Sequence, residues 1–150
     1  MQISDELAQL PAFAGLDSAA RDALAETVTA RTLACDEVLF AEGDPPGDLY
    51  VIRRGHVQLT RRFDGRGDVV VATLADGELL GWTGLLRRTR VAGARALEET
   101  TLWCFRASSL LEVCERDPRV GYRIMSLAFE EVADRLHATR LQLLDVYGSR

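Results

Sequence analysis

The spacing of apolar residues changes twice along the chain and divides it into three segments. Residues 1–31 follow a helical period, residues 32–106 a period of two, and residues 107–147 the helical period again. The middle segment holds seven or eight short apolar stretches separated by turns such as GDPPGD and FDGRGD, the second a hairpin tip. Evenly spaced short strands are typical of sandwiches, barrels and jelly rolls. The pattern predicts a mainly β protein, an antiparallel, jelly-roll-like β-roll with an N-terminal helix and a long C-terminal helix.

The predicted helices carry recognisable end signals. Asp17 or Ser18 can cap the first helix, whose apolar positions continue to Val28, so we predict that it ends near Arg31. A short helix follows the β region. Asp117 and the proline after it then begin a long helix that no residue interrupts before Gly148.

Composition narrows the class of protein. The 150 residues include 47% hydrophobic and 27% charged side chains, as in an ordinary globular domain, and we expect one domain over residues 1–150. A net charge of -5 argues against non-specific binding to nucleic acid or anionic lipid, both of which require excess Lys and Arg. The N-terminus lacks a signal peptide pattern and no apolar run is long enough for a membrane span, so we expect a cytoplasmic protein.

The cysteines and histidines do not form a metal or catalytic motif. Cys35, Cys104 and Cys114 match neither a zinc knuckle nor a disulfide framework, and we interpret them as reduced core or strand residues. His56 and His137 lie far apart, which disfavours a cupin-type metal enzyme because metal ligation needs converging donors. We therefore predict no enzyme activity and no metal.

The segment GELLGWTGLLRRTR interrupts the β pattern with an apolar run that lacks strand alternation. A helical turn there would present free N–H groups to an anion, and Gly77 would let the backbone approach a ligand. Arg90 offers a planar fork of donors suited to a phosphate, while Glu78 can accept hydrogen bonds from a sugar hydroxyl. Together these residues predict a pocket for a phosphorylated sugar.

Each of these residues has a simpler alternative. Glu78 either binds the sugar or pairs with a nearby arginine on the surface. Arg87 and Arg88 either form a solvated loop face or take the anion in place of Arg90. Trp82 either stacks on a base or belongs to the core.

Three stretches, LPAFAGL, EVLFAEGDPPGDLYVIRRGHVQL and ALEETTLWCF, give the chain a resemblance to a known family. It resembles the cyclic-nucleotide-binding domain, as in the bacterial catabolite activator protein and the regulatory subunits of cyclic-AMP-dependent kinase. The resemblance covers nearly the whole chain. It implies a regulatory domain that binds cyclic AMP, cyclic GMP or another phosphorylated small molecule and needs no cofactor.

The resemblance also implies roles for individual residues. Gly77 and Glu78 match the Gly-Glu pair that opens the family's phosphate-binding cassette, in which the Glu binds the ribose 2′-hydroxyl. Arg90 matches the arginine that binds the cyclic phosphate. Gly81 stands one place later than the family's usual small residue, and Val91 stands where Ser, Thr or Ala is frequent. The interval from Gly77 to Arg90 is also longer than in most members, so the cassette is remodelled.

The long helix carries an apolar stripe with alternating steps of three and four, which is a heptad pattern. A second apolar face is available to pack on the roll. Two faces imply two partners, so we predict a homodimer through the helix from Tyr122 to Val146. The stripe comprises Tyr122, Met125, Phe129, Val132, Leu136, Thr139, Leu143 and Val146, and the second face comprises Ile124, Leu127, Ala128 and Leu141.

Thr139 is the polar residue of that stripe. In the catabolite-activator branch a Thr-Ser pair at the matching place touches the adenine, and here the pair reads Thr139-Arg140. Thr139 either contacts a base or bonds back to its own helix.

These features predict a stand-alone cyclic-nucleotide sensor in which ligand moves the C-terminal helices. One alternative is a degenerate interaction module of the same fold, whose pocket Leu80 and Trp82 close. Another is a truncated transcriptional regulator, because transcription factors of this family continue into a winged helix-turn-helix. This sequence stops soon after Tyr147, so we expect no DNA binding by this chain alone. The net charge and the lack of a long apolar run predict no membrane binding.

Overall fold

The computed structural model describes residues 3–11 and 13–148. Its helices are α1 (Ile3–Leu7), α2 (Ser18–Ala25), α3 (Ala107–Arg116) and α4 (Pro118–Gly148), with a 3-10 helix at Trp82–Leu86. Its strands are β1 (Val28–Leu33), β2 (Val38–Phe40), β3 (Leu49–Arg54), β4 (Val57–Phe63), β5 (Gly67–Leu74), β6 (Leu79–Leu80), β7 (Gly93–Ala96) and β8 (Thr100–Phe105).

The strands form two antiparallel four-stranded sheets, in the orders β1-β8-β3-β6 and β2-β7-β4-β5. Strands β4 and β5 pair as a hairpin whose turn, residues 64–66, lies within the predicted FDGRGD tip, with Phe63 opposite Gly67. The predicted β-roll with flanking helices is confirmed. It is closed by long-range pairs, such as β1 with β8, that no local pattern specifies.

Two apolar clusters fill the fold, and single strands contribute to both. In β8, Trp103 and Phe105 pack with the helices, whereas Leu102 and Cys104 pack between the sheets. Strand β3 divides its side chains in the same way. This explains why LYVI and LWCF read as continuous apolar runs, because both faces of these strands are buried.

Helix α2 begins as predicted and ends early. The Asp17 carboxylate accepts a hydrogen bond from the Ala20 N–H at 2.9 Å, so of the two predicted caps Asp17 is the one observed. The predicted end near Arg31 is wrong, because α2 stops at Ala25 and Val28 already pairs with Phe105 in the sheet. Strand β1 exposes its four middle residues, so it shows no alternation that would mark it as a strand.

Helix α4 runs from Pro118 to Gly148 without a break, as predicted, and Asp117 accepts a hydrogen bond from the Arg119 N–H at 3.1 Å. Of the second apolar face, Ile124 is fully buried, but Leu141 is 49% exposed and its predicted packing is wrong. The helix leaves the roll beyond Glu131, its last buried residue in the described part of the chain. Neither α4 nor any other described helix combines the length and apolarity needed to cross a bilayer.

Candidate functional site

The segment between β6 and β7, residues 81–92, forms the candidate site and is called the cassette below. Gly81 has a φ of 82° and turns the chain from β6 into the 3-10 helix, which confirms the predicted helical turn. A Cβ atom on Gly81 would lie 2.8 Å from the Asp48 carbonyl oxygen and 2.9 Å from Nη1 of Arg90. Glycine is therefore required here both by the left-handed backbone and by the space.

Arg90 lies at the centre of the cassette and is only 4% exposed. Its Nη1 donates to the Gly81 carbonyl at 2.9 Å and its Nη2 donates to the Asp48 carbonyl at 2.7 Å. The guanidinium carbon also lies 4.3 Å from the centroid of the Phe40 ring. Main-chain carbonyls and an aromatic face, rather than a carboxylate, therefore hold this cation.

The main chain of Arg90 connects the cassette to the loop between β2 and β3. The Gly43 N–H donates to the Arg90 carbonyl at 2.7 Å, and the Arg90 N–H donates to the Asp44 carbonyl at 2.9 Å. Two glycines make the approach possible, because a Cβ on Gly84 would lie 2.2 Å from the Gly47 carbonyl oxygen. Arg90 thus joins two loops through both its backbone and its side chain.

The charge of Arg90 has no carboxylate partner at ion-pair distance among the described residues. Burial lowers the pKa of Arg90, while the nearby Tyr50, Asp48 and Asp44 oppose that shift. Arginine keeps its proton in proteins even when buried, so the site holds a desolvated positive charge. Such a charge interacts strongly with any anion that reaches it.

A small void beside the guanidinium, called the Arg90 cavity below, has a volume of about 30 Å3. Typical ligand pockets measure roughly 300 to 1,000 Å3, so the cavity in this conformation is closed to a nucleotide. Its lining comprises Phe40, Leu59, Leu80, Gly81, Trp82, Thr83, Arg90, Val91, Ala92 and Arg135.

A larger open groove of about 840 Å3, called the α4 cleft below, lies between the β4–β5 hairpin and α4. Trp82, Val91, Ala92 and Arg135 line both the cleft and the Arg90 cavity, so they form the wall between them. Trp82 also packs against the helical core. Of its two predicted roles, core packing is therefore observed, and its indole also borders both spaces.

Thr139 lines the α4 cleft, and its Oγ1 donates to the Arg135 carbonyl at 2.9 Å. Of the two alternatives for this hydroxyl, the structure has the bond back to its own helix. Gly81, Arg90, Val91 and Thr139 are therefore brought together around the cavity and the cleft.

Gly77 and Glu78 are not brought to this site, which corrects the predicted grouping. They border a separate depression against α4 and the N-terminal segment. The Glu78 carboxylate accepts a hydrogen bond from the Ala75 N–H at 3.2 Å, and the Gly77 N–H donates to the Ile52 carbonyl at 2.7 Å. Strand β6 then pairs with β3 and separates this turn from Gly81.

Arg87 and Arg88 lie outside the Arg90 cavity and are exposed. Arg87 has a φ of 54° and closes the 3-10 helix, with its N–H donating to the Gly84 carbonyl at 3.2 Å. Of the two alternatives for this pair, a solvated loop face is what the structure has.

Sequence reasoning missed an ion pair on α4. Arg135 lies one helical turn after Glu131 and forms a close ion pair with it. Glu131 is only 7% exposed, and burial raises the pKa of its carboxyl group, with Glu78 and Asp134 adding to the shift and Arg135 opposing it. The spacing of four residues was the available signal, although most such pairs are exposed.

The structure shows the surroundings of His56 and of the three cysteines. Nδ1 of His56 lies 2.7 Å from Oε1 of Glu98, and both side chains are about half exposed. Within the described ranges, no three His, Cys, Asp or Glu side chains gather into a possible metal site. All three cysteines are free thiols, with Cys104 buried; Cys35 is exposed in a turn, contrary to the core or strand expectation.

Comparison with known proteins identifies the family of this domain. The family model for the cyclic nucleotide-binding domain matches residues 30–117. The chain is 30% identical over 114 residues to the transcriptional activator protein anr of Pseudomonas aeruginosa, covering 75% of this chain. It is 33% identical over 106 residues to the cyclic AMP receptor protein of Thermus thermophilus, covering 70% of this chain. The chain spans 47% of the length of each relative.

A solved structure supports the fold independently of sequence. The crystal structure of a cyclic nucleotide-binding domain from Methylobacillus flagellatus superposes with a TM-score of 0.80 at 18% identity, covering 96% of this chain and 82% of that one. At that identity the likeness concerns the fold alone. Because the family model spans more than half of the chain, this protein belongs to the cyclic nucleotide-binding domain family.

Proposed function

We propose that this domain is a regulatory sensor that binds a cyclic nucleotide at Arg90. The observation that carries the proposal is a cation that is 4% exposed and has no carboxylate partner among the described residues. A buried charge is costly unless it is paired, and an anionic phosphate would supply the missing partner. Membership of the family and the name of the Thermus relative, a cyclic AMP receptor protein, support cyclic AMP as the first ligand to test.

Ligand binding in this proposal requires the cassette to open. The phosphate would replace the Gly81 and Asp48 carbonyls as the acceptor for Arg90, and the cavity would merge with the α4 cleft across Trp82. Val91 would then lie beside the phosphate, and Thr139 would lie beside the base. Since the cleft is bordered by α4, occupation of it would favour one position of that helix, provided the ligand binds the two positions with different affinity.

Calorimetry of the purified protein against cyclic AMP and cyclic GMP tests the proposal. Arg90→Ala should weaken binding by about 2 to 5 kcal/mol, because the phosphate would lose its charged partner in a desolvated site. Arg87→Ala, which removes an exposed arginine of the same loop, is the matched control and should change affinity by less than about 0.5 kcal/mol. Equal losses in both variants would show that the anion does not bind at Arg90.

We also propose that α4 forms a homodimer. The apolar stripe predicted from the sequence is exposed along the helix, with Phe129 74% and Tyr122 70% exposed. A long exposed apolar surface is typical of an interface. Leu136→Asp would place an unpaired charge in the middle of the contact and should give monomers. Sedimentation of wild type and variant at tens of micromolar is the measurement, and a monomeric wild type would eliminate the dimer.

One observation favours a second candidate, an interaction module that retains the fold but binds no nucleotide. The Arg90 cavity is about 30 Å3, and Leu80 and Trp82 both border it, as the sequence suggested for a closed pocket. The same calorimetry distinguishes the two candidates. If neither cyclic nucleotide binds at millimolar concentration, the interaction module becomes the better account.

A further inference from the structure

Two arginines, from two different elements of the fold, line the Arg90 cavity. Arg90 belongs to the cassette, while Arg135 belongs to the inner face of α4. Arg135 also borders the α4 cleft, so it lies where an anion entering from the cleft would pass. Unlike Arg90, it has an acidic partner, since it forms a close ion pair with Glu131.

Glu131 is poorly placed to hold that pair permanently. Its side chain is buried, and Glu78, from the turn before β6, and Asp134, on α4 itself, both disfavour its negative charge. Arg135 is its only cationic partner in the described part of the chain. A buried carboxylate in a negative environment is a weak competitor for an arginine when a second anion is available.

We propose that Arg135 is a second anion ligand of the Arg90 cavity, and that it exchanges Glu131 for the ligand when an anion binds. The inference rests on the proposed function and deepens it. The ligand group would be a phosphate, whose several oxygens can accept hydrogen bonds from two guanidinium forks at once. No covalent bond is made or broken in the exchange.

The exchange would link the cavity to α4 through residues that are already connected. The Arg135 carbonyl accepts the hydrogen bond from Thr139, and Glu131 is the last buried residue of α4 in the described chain. The Glu131–Arg135 pair therefore lies at the point where the helix leaves the roll. Moving the Arg135 side chain from Glu131 to the ligand would change the contacts of α4 at that point.

The experiment is calorimetric titration of the full chain with cyclic AMP, cyclic GMP and inorganic phosphate. Arg135→Gln should weaken binding of the anion about tenfold or more, since it removes a charge-assisted hydrogen bond. Glu131→Gln should strengthen it severalfold, because Arg135 loses its competitor. Arg135→Lys, which keeps the charge without the planar fork, should fall between wild type and Arg135→Gln. Arg116→Gln, at the exposed end of α3, is the control and should bind like wild type.

The sign of the Glu131→Gln effect separates ligand exchange from a structural role, because a merely structural pair would lose affinity in both variants. Circular dichroism and thermal melting of each variant identify any that fail to fold, and Arg135→Lys then replaces Arg135→Gln. Two results would overturn the inference while the proposed function stands, both in a wild-type protein that binds cyclic nucleotides. In the first, the affinity of Arg135→Gln stays within twofold of wild type. In the second, Glu131→Gln weakens binding.

The remaining outcomes are those in which the cyclic nucleotide proposal fails. If inorganic phosphate alone binds, with the expected changes in both variants, the inference stands and the cyclic nucleotide proposal fails. If no anion binds to wild type or to Glu131→Gln, both proposals are overturned.

Discussion

Replacing Gly84 by alanine should destabilise the protein through one backbone contact. A Cβ on Gly84 would lie 2.2 Å from the Gly47 carbonyl oxygen, whereas real Cβ contacts essentially never fall below 3.0 Å. The obstacle is a main-chain atom, so no side-chain rotation can relieve it. The cassette and the loop between β2 and β3 must therefore separate at the point where Arg90 joins them.

The size of the effect follows from the size of the required shift. Overpacking of a well-packed site costs typically about 1 to 3 kcal/mol, and a backbone displacement of nearly 1 Å belongs at the upper end. For a chain of this length about 3 kcal/mol lowers the melting temperature by roughly 6 to 12 °C. The variant should also bind anions with altered affinity, because the Asp48 carbonyl that holds Arg90 follows Gly47 directly.

Thermal unfolding followed by circular dichroism, together with urea unfolding at constant m-value, measures this loss. Gly148→Ala is the control, because a Cβ there meets nothing within 4 Å and the residue ends a helix, so its melting temperature should match wild type. A Gly84→Ala protein that melts within about 1 °C of wild type would refute the argument, since the two loops would then tolerate separation freely.

Three further predictions follow from the fold and the site. Glu78→Ala should weaken anion binding by no more than about threefold in calorimetry, because its carboxylate bonds to the Ala75 N–H outside the Arg90 cavity and acts on the site only by repelling Glu131; a tenfold loss would restore its predicted sugar-binding role. Phe105→Ala should lower the free energy of unfolding by about 3 to 5 kcal/mol in urea, because the ring is fully buried; a loss below about 1 kcal/mol would contradict this packing. The pKa of Asp17 is lowered from 3.8, chiefly by the hydrogen bond from the Ala20 N–H and then by Arg119. The ionised Asp17 carboxylate therefore stabilises the fold above pH 3.8, and this stabilisation is lost as the pH falls through the lowered pKa of the folded state. Asp17→Asn should therefore be less stable than wild type at pH 7 and approach it by pH 2, and a gap that stays constant with pH would exclude the carboxylate as its cause.

Local patterns predicted the elements of the fold well where one face of an element is buried or a cap is present. The Asp17 cap, the β4–β5 hairpin and the uninterrupted α4 all depend on residues close together in the chain. The end of α2 was predicted wrongly because the strand that follows it depends on a distant segment. Strand β1 is defined by its pairing with β8, whose residues lie 67 to 77 positions further along the chain, and its own exposed middle carries no strand signal.

Linear motifs predicted one part of the candidate site, and the other part depends on strand pairing. The linear motifs indicated the family, and the resemblance to it singled out Arg90, while Arg87 and Arg88 remained alternatives. It also grouped Gly77 and Glu78 with that arginine, and this grouping failed. Whether the Gly77 turn or the Gly81 turn faces Arg90 depends on the pairing of β6 with β3, a contact between distant segments.

The sequence by itself therefore determined the period, the acidic caps of α2 and α4, the hairpin turn and the family, since each of these arises from neighbouring residues or from a linear motif. Tertiary structure decided the environment of each charge. Arg90 became a buried cation because the loop between β2 and β3 folds over it, and Glu131 became a buried anion because α4 lies against the roll at that turn. Burial and pairing depend on which distant segments meet, and that information is spread across the whole chain rather than held at any one position.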